Sequence, residues 1–139
     1  MLYSMKQTCE KTGMTYEALK FYCNQGLVPR VKRDRANRRV FDKQDIAWIE
    51  GLGCLKRCGF SIREMHHYME LCLQGAASIP ERKTILDEKR QALREQIAQL
   101  EEAVAYVDNK QAFYDRVLAG EQPYFSNLLA DVQPGTADR

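Results

Sequence analysis

The sequence lacks the features that mark several large classes of protein. It has no apolar run long enough to cross a bilayer and no signal-peptide pattern at its N-terminus, so we expect a cytoplasmic protein without membrane contacts. Its five cysteines are odd in number and include no CxxC pair, which favours reduced thiols over a disulfide framework. No convincing nucleophile–base pair or pair of catalytic carboxylates is present, and we therefore predict that the protein is not an enzyme.

A strong excess of charge is also missing from the chain as a whole, whose net charge is only +2. The balance is nevertheless uneven along the sequence. Residues 1–79 contain 13 Lys and Arg against 8 Asp and Glu, whereas residues 80–119 contain 7 against 8. An excess of positive charge in the N-terminal part is expected if that part binds a polyanion such as nucleic acid. Residues 80–119 have no such excess.

The second part is dominated by an apolar repeat with a period of seven residues. One seam reads Leu86, Leu93, Leu100, Val107 and Tyr114, and another, four residues further on, reads Arg90, Ile97, Val104, Gln111 and Leu118. Seven residues is the period of a coiled coil. Ser78, as a capping hydroxyl, and Pro80, in the first turn, predict the start of this helix. No further proline or glycine interrupts it before Gly120, which gives a length of about 60 Å at 1.5 Å per residue.

A helix of this length cannot be covered by the rest of the chain. The alternative is one rod of an intramolecular helical hairpin, but that needs a second helix of comparable length, which the sequence lacks. We therefore predict that two copies dimerise through this helix, in parallel or antiparallel orientation. The residues assigned to the dimer seam are Leu86, Leu93, Ile97, Leu100, Val104, Val107 and Tyr114.

The N-terminal part begins with two short predicted helices. Ser4 and Gln7 form a capping box at the start of the first helix, and Gly13 ends it. Thr15 caps a second helix that begins at Tyr16. Two short helices joined across a glycine turn are typical of a helix-turn-helix, in which the second helix lies in the major groove of DNA.

A strongly basic segment follows the second helix. Residues 30–39 contain six basic side chains and a single acid, Asp34, and Val40 and Phe41 supply apolar, strand-forming residues on the return. A basic β-hairpin after a helix-turn-helix is a wing, placed to bind phosphates beside the recognition helix. The alternative is a solvated charged loop, although a folded loop seldom concentrates like charge without an anionic partner.

Two further helices complete the N-terminal part. Asp42 caps a third helix, whose apolar residues between Ile46 and Leu55 recur at helical spacing, and Ser61 and Glu64 form a capping box at the start of a fourth. The predicted organisation is a winged helix-turn-helix DNA-binding domain over residues 1–75, a hinge and dimerisation helix over residues 76–119, and a partly disordered tail over residues 120–139.

Several segments together resemble one protein family. They are Lys20-Phe21-Tyr22 with Gly26-Leu27-Val28-Pro29, Asn37-Arg38-Arg39-Val40-Phe41, Asp45-Ile46, and Gly59-Phe60-Ser61-Ile62 with Glu64. In this order, over roughly residues 2–73, the chain resembles the MerR family of transcriptional regulators. It departs from the family pattern at Lys20, where Arg is usual, and at Arg38, where the wing usually has Tyr. Both changes keep a group that can bind phosphate.

The resemblance implies a fold, partners and DNA contacts. The expected fold is all-α with a small β wing, in which a winged helix-turn-helix domain is followed by a long helix that pairs in an antiparallel coiled coil. The expected partners are a second copy of the chain, double-stranded promoter DNA in the nucleoid and, indirectly at the promoter, RNA polymerase, since the resemblance implies a regulator that deforms an overlong promoter spacer. The DNA-binding residues implied are Thr15, Tyr16, Lys20, Tyr22, Lys32, Arg33, Arg35, Arg38 and Arg39.

The resemblance also implies an effector, and Cys54 is the candidate sensor of a small reactive aldehyde or other electrophile. It stands where the aldehyde- and thiol-stress-responsive subgroup carries its sensing cysteine, with Lys56 and Arg57 nearby. The alternatives are a packing role for Cys54, a contribution from Cys58, and a regulator that binds a non-covalent ligand. Residues 73–139 contain no Cys or His, where metal sensors of the family carry cysteines, so we expect neither a metal nor a cofactor.

Overall fold

The computed structural model of the chain describes residues 1–129. The elements follow one another as β1 (Tyr3–Ser4), α1 (Met5–Thr12), α2 (Tyr16–Asn24), β2 (Lys32–Arg33), β3 (Arg39–Phe41), α3 (Lys43–Arg57), α4 (Ile62–Leu73), a 3-10 helix (Gly75–Ser78) and α5 (Ile79–Leu118). The fold is mostly helical with one small antiparallel sheet, as predicted. Within the described residues, no helix is long and apolar enough to cross a membrane.

The starts of the short helices are fixed by local caps, as predicted. Ser4, Asp42 and Ser61 each form a capping box with the residue three positions further on. Thr15 Oγ1 accepts a hydrogen bond from the first turn of α2 at 3.1 Å. Gly13 adopts the left-handed conformation, with φ of 75°, and ends α1. Each cap satisfies backbone N–H groups that a helix leaves unpaired at its start, and contributes about 1 kcal/mol.

The predicted wing is a β-hairpin, and it belongs to a three-stranded sheet of order β1-β3-β2. Lys32 pairs with Val40 and Arg33 with Arg39 across the hairpin. Its turn contains Asn37 with φ of 62°, a left-handed conformation that asparagine tolerates better than most residues. Strand β1 was not predicted, because two residues carry no detectable period and only their pairing with β3 makes them a strand.

One apolar core holds α2, α3, α4 and β3 together. Phe41 of β3 and Leu52 of α3 are fully buried, and Met65 of α4 is nearly so. Trp48, the single tryptophan, donates its Nε1 hydrogen to the carbonyl oxygen of Leu27 at 2.7 Å. The buried residues of the core are Leu19, Tyr22, Leu27, Val28, Phe41, Ile46, Ile49, Leu52, Phe60, Met65 and Met69. The apolar stripe predicted for the third helix therefore packs within this core.

The segment predicted as a hinge forms a 3-10 helix, Gly75–Ser78, between α4 and α5. The prediction that Ser78 caps the long helix is wrong. Its hydroxyl donates a hydrogen bond to the carbonyl oxygen of Leu71 and accepts one from Arg82 Nε at 3.0 Å. Arg82 Nη2 also donates to the carbonyl oxygen of Gly75 at 2.6 Å. The hydroxyl thus links α4 to α5 and does not accept from the N–H groups of α5, as a cap would.

Helix α5 spans 40 residues without interruption, in agreement with the predicted long helix. It contributes residues to two compact units, one formed by Met1–Gln91 and one that begins at Ala92. Within the first unit, Ile85 packs against the core, and Lys89 Nζ lies 2.8 Å from a carboxylate oxygen of Glu64. The assignment of residues 76–119 to a dimerisation helix remains a prediction.

The apolar side chains of α5 beyond Gln91 are largely exposed, and no residue of this helix is buried. Four residues of the predicted seam keep more than half of their area accessible, namely Ile97 (55%), Leu100 (66%), Val104 (58%) and Val107 (55%), whereas Leu93 is half-buried. After the helix, Phe125 packs against Phe113 with the ring centroids 5.4 Å apart. Residues 130–139 of the tail that was predicted to be partly disordered lie outside the described residues.

Candidate nucleic-acid interface

Helix α2 buries one side and exposes the other. Leu19 is fully buried, whereas Tyr16 and Lys20, which lie one turn apart, are exposed. Thr15, at the start of the helix, is also exposed. Residues one turn apart share a helix face, so Tyr16 and Lys20 lie together on the accessible side of α2, and Thr15 is accessible at its start.

Tyr22 does not lie on that accessible side, although the sequence placed it among the DNA-binding residues. Only 5% of its surface is exposed, and its ring belongs to the apolar core. It follows Leu19 by three residues, and residues at this spacing share a helix face, here the buried one. We therefore exclude Tyr22 from the interface and assign it to the packing of α2.

The wing and α2 meet around a cavity of about 520 Å³. Tyr16 lines it from α2, and Arg33, Arg38 and Arg39 line it from the wing. The structure thus brings together four residues that were predicted separately from a helix and a hairpin. Lys6 of α1 also lines the cavity and was not predicted. Its only signal in the sequence is a positive charge in the first turn of the helix before the recognition helix.

Lys32 and Arg30, at the base of the wing, have an acidic partner within the chain. Lys32 Nζ lies 2.9 Å from Asp42 Oδ2, and Arg30 Nη2 lies 3.7 Å from the same oxygen. A backbone hydrogen bond from Asp45 and a hydrogen bond from Lys32 hold the pKa of Asp42 at about 2. Because Asp42 is ionised at neutral pH, we expect Lys32 to contribute less to DNA binding than an unpaired cation.

Arg38 and Arg39, nearer the cavity, are held in different ways. Arg38 Nε donates to Asp34 Oδ2 at 3.2 Å and so pairs with an acid. Arg39 Nη2 donates to Asn24 Oδ1 at 2.6 Å, which ties β3 to the last residue of α2. A neutral amide orients the guanidinium but leaves its charge uncompensated. Arg35 is exposed near the tip of the wing.

Cys54, the candidate sensor, is exposed on α3, and Arg57 Nη2 donates to its sulfur at 3.2 Å. An accessible cysteine beside a cationic donor is typical of reactive cysteines, whereas structural cysteines are buried. Cys58 is half-buried and packs against the core. Burial, the largest cause, raises the pKa of both Cys9 and Cys23. Within residues 1–129, no three His, Cys, Asp or Glu side chains lie close enough together to hold a metal ion.

Two family models match the chain. The model described as MerR HTH family regulatory protein matches residues 3–72. A second, described as MerR, DNA binding, matches residues 53–109. Together these matches contain the helix-turn-helix, the wing and most of the long helix.

Curated relatives agree with the family models. An uncharacterized HTH-type transcriptional regulator of Haemophilus influenzae is 32% identical over 119 residues, which cover 86% of this chain and 88% of that protein. The HTH-type transcriptional regulator AdhR of Bacillus subtilis is 36% identical over 92 residues, which cover 66% of each protein.

Solved structures are similar over most of the chain. HiNmlR, described as a MerR family regulator lacking the sensor domain, bound to promoter DNA, is 32% identical with a TM-score of 0.73, and the match covers 86% of this chain and 90% of that one. A MerR family transcriptional regulator from Listeria monocytogenes is 28% identical with a TM-score of 0.74, over 85% of this chain and 89% of that one. The chain therefore belongs to the MerR family of helix-turn-helix, DNA-binding transcriptional regulators.

Proposed function

We propose that two copies of the chain bind promoter DNA together, each with α2 in the major groove and its wing on the adjacent phosphates. The observation that carries this proposal is the cavity at which Tyr16 of α2 meets Arg33, Arg38 and Arg39 of the wing. A groove-reading helix positioned by neighbouring phosphate contacts is the usual arrangement of a helix-turn-helix on DNA. The description of HiNmlR as bound to promoter DNA supports promoter DNA as the partner.

The proposed dimer uses the exposed apolar seam of α5. Two copies paired along this seam, in an antiparallel coiled coil, place two recognition helices on one duplex and match a pseudo-palindromic site. The dimer then acts on RNA polymerase indirectly, by deforming the promoter spacer between the polymerase elements, so that much of the selectivity comes from DNA deformability and less from base contacts.

The wing contacts can be tested by the salt dependence of binding. A duplex is first selected from a random pool with the full chain, and the dissociation constant is measured over a range of salt concentrations. Each lost phosphate contact lowers the magnitude of the logarithmic salt slope by about 0.9 on B-DNA. Arg38→Ala with Arg39→Ala removes two contacts per protomer, so the slope should fall by roughly four for the dimer.

A matched control removes two positive charges elsewhere. Lys110 and Arg116 are both exposed on α5, so the pair Lys110→Ala and Arg116→Ala makes the same change in net charge outside the wing. The control slope should stay within about one of the unmodified protein. If the wing variant behaves like this control, the wing does not lie on the DNA backbone.

We also propose that the regulator senses a reactive aldehyde or related electrophile through Cys54. The observations that favour this are the exposure of the thiol and the hydrogen bond from Arg57 to its sulfur. In the reaction with an aldehyde, the thiolate sulfur bonds to the carbonyl carbon, the π electron pair moves to oxygen, and that oxygen takes a proton from water. The adduct adds bulk on α3, within the compact unit that also contains α2 and the wing.

Substitution of Cys54 separates sensing from DNA binding. Cys54→Ser is nearly the same size but a far weaker nucleophile, so it should keep its affinity for the selected duplex, form no adduct by mass spectrometry and abolish induction in a promoter–reporter assay. Cys58→Ser, the matched control, should respond normally. Full induction of the Cys54→Ser variant would favour the alternative, a sensor of a non-covalent ligand.

A further inference from the structure

We propose that Asp34 is a positioning residue of the wing, which holds the turn in shape and limits the positive charge that the wing presents to DNA. This inference rests on the proposed placement of the wing on the DNA backbone. Asp34 is the single acid among residues 30–39, which contain six basic side chains. It lies in the wall of a cavity that Arg33, Arg38 and Arg39 also line, which calls for a physical role.

The first part of the role is the shape of the turn. Asp34 Oδ1 accepts hydrogen bonds from the backbone nitrogens of Ala36 and Arg38, both at 2.9 Å. Its backbone N–H donates to the carbonyl oxygen of Arg38 at 2.9 Å, and its carbonyl oxygen accepts from the nitrogen of Asn37 at 2.9 Å. The backbone and the side chain of Asp34 thus both form hydrogen bonds across the turn. These bonds hold the turn in the shape in which Asn37 has its left-handed conformation.

The second part of the role is charge. Asp34 Oδ2 accepts from Arg38 Nε at 3.2 Å, so the carboxylate that fixes the turn also pairs with one of the cations proposed to bind phosphate. The backbone hydrogen bond from Arg38, the largest cause, lowers the pKa of Asp34, and the side chain is therefore ionised at neutral pH. A phosphate that binds Arg38 must compete with this carboxylate and approach a like charge.

The expected consequence is a moderate affinity of the wing for phosphates of any sequence. Non-specific binding to DNA depends almost entirely on such phosphate contacts. An acid at the contact surface reduces the number of counterions released on binding, whereas a well-formed turn keeps the arginines where the duplex selected by the full chain requires them. Asp34 therefore lowers affinity through its charge and raises it through its geometry, and two substitutions can separate these effects.

The test compares Asp34→Asn with Asp34→Ala, which make the same change in charge. Asparagine keeps an oxygen that accepts from both backbone nitrogens, whereas alanine does not. On a 30-base-pair duplex of random sequence at about 0.15 M salt, Asp34→Asn should bind about tenfold more tightly, and its salt slope should steepen by up to roughly 0.9 per protomer. On the selected duplex, Asp34→Ala should bind several-fold more weakly than Asp34→Asn. Glu102→Gln, an exposed change of equal charge on α5, is the matched control and should alter neither.

The outcomes distinguish this inference from the proposed function. If Asp34→Asn behaves like Glu102→Gln while the Arg38 and Arg39 variant has a smaller slope, the wing lies on DNA but Asp34 does not limit its charge, and the inference is wrong. Equal affinities of Asp34→Asn and Asp34→Ala for the selected duplex would overturn the positioning role. If the arginine variant also leaves the slope unchanged, the placement of the wing fails and the inference fails with it.

Fluorescence of Trp48 checks that each variant is folded, and Asp34→Asn alone decides the charge role if Asp34→Ala does not fold.

Discussion

The two compact units of the chain use the same kind of apolar repeat in opposite ways. In Met1–Gln91, the apolar residues of α2, α3 and α4 meet one another, and every buried residue that the structure describes belongs to this unit. From Ala92 onward, the apolar residues of α5 are regularly spaced, yet none of them is buried and most are exposed. Helical spacing alone therefore predicts an apolar face, but the rest of the chain decides whether that face finds a partner within the molecule or needs a second copy.

The difference also separates two requirements for function. The N-terminal unit contains both the cavity proposed to face DNA and the core that supports it, so its fold should not depend on dimerisation. The helix beyond Gln91 supplies little of its own stability, because an isolated helix gains most of its stability from the packing of its apolar face. The following predictions test this division, in order of expected effect.

The largest effect is expected from charges placed in the seam. Leu93→Asp with Leu100→Asp removes two leucines per protomer, each of which contributes about 2 kcal/mol when fully buried. The loss of roughly 8 kcal/mol per dimer raises the dimer dissociation constant by about six orders of magnitude, measured by sedimentation equilibrium. Trp48 fluorescence should remain native, because the tryptophan lies in the core of the N-terminal unit.

Substitutions on the outer side of α5 provide the control for the seam. Gln91 and Gln99 are exposed and lie outside the two apolar seams, so the pair Gln91→Asp and Gln99→Asp should leave the dimer intact. A seam variant that sediments as a stable dimer would contradict the assignment. Loss of the native Trp48 signal in that variant would show instead that the N-terminal unit depends on the dimer.

The smallest effect is expected from Asp42, within the N-terminal unit. Its carboxyl has a pKa of about 2, below the ordinary value of 3.8, so its ionised form stabilises the fold above about pH 4. That contribution is lost as the pH falls from about 4 to 2, because the unfolded chain takes up the proton first. Asp42→Asn can still cap α3 but cannot ionise. Thermal unfolding followed by Trp48 fluorescence should therefore show a smaller loss of stability over this pH range for the variant than for the unmodified chain, and equal losses would contradict the linkage.

The sequence was sufficient for features that depend on neighbouring residues. The helix caps at Ser4, Asp42 and Ser61, the basic hairpin and the long helix were all predicted, because each rests on residues a few positions apart. The exposed side of α2 was predicted in part: Thr15 and Tyr16 lie there, whereas Tyr22 belongs to the core. A tyrosine can lie in an apolar core or at a polar surface, so its residue type does not distinguish the two. The spacing of Tyr22 from Leu19 places it on the buried face only once Leu19 is known to be buried.

Contacts between distant residues could not be predicted. Three contacts depend on how the elements pack: the ion pair of Lys32 with Asp42, the hydrogen bond from Arg39 to Asn24, and the hydrogen bonds of the Ser78 hydroxyl with Leu71 and Arg82. The contacts of Lys32 and Arg39 change the chemistry of the site, because the charge of Lys32 is compensated by an acid, whereas Arg39 bonds to a neutral amide. The basic segment could be recognised from composition, whereas the pairing of its basic side chains with acids could be seen only in the folded structure.

The most direct test of the proposed dimer on DNA is the mass of the unmodified chain in solution and on its selected duplex, measured by native mass spectrometry. A chain of 16.1 kDa should appear at twice that mass when free, and two chains should bind each duplex without a stable complex of one chain. A free chain that stays at 16.1 kDa at micromolar concentration and binds the selected duplex singly would contradict dimerisation through α5.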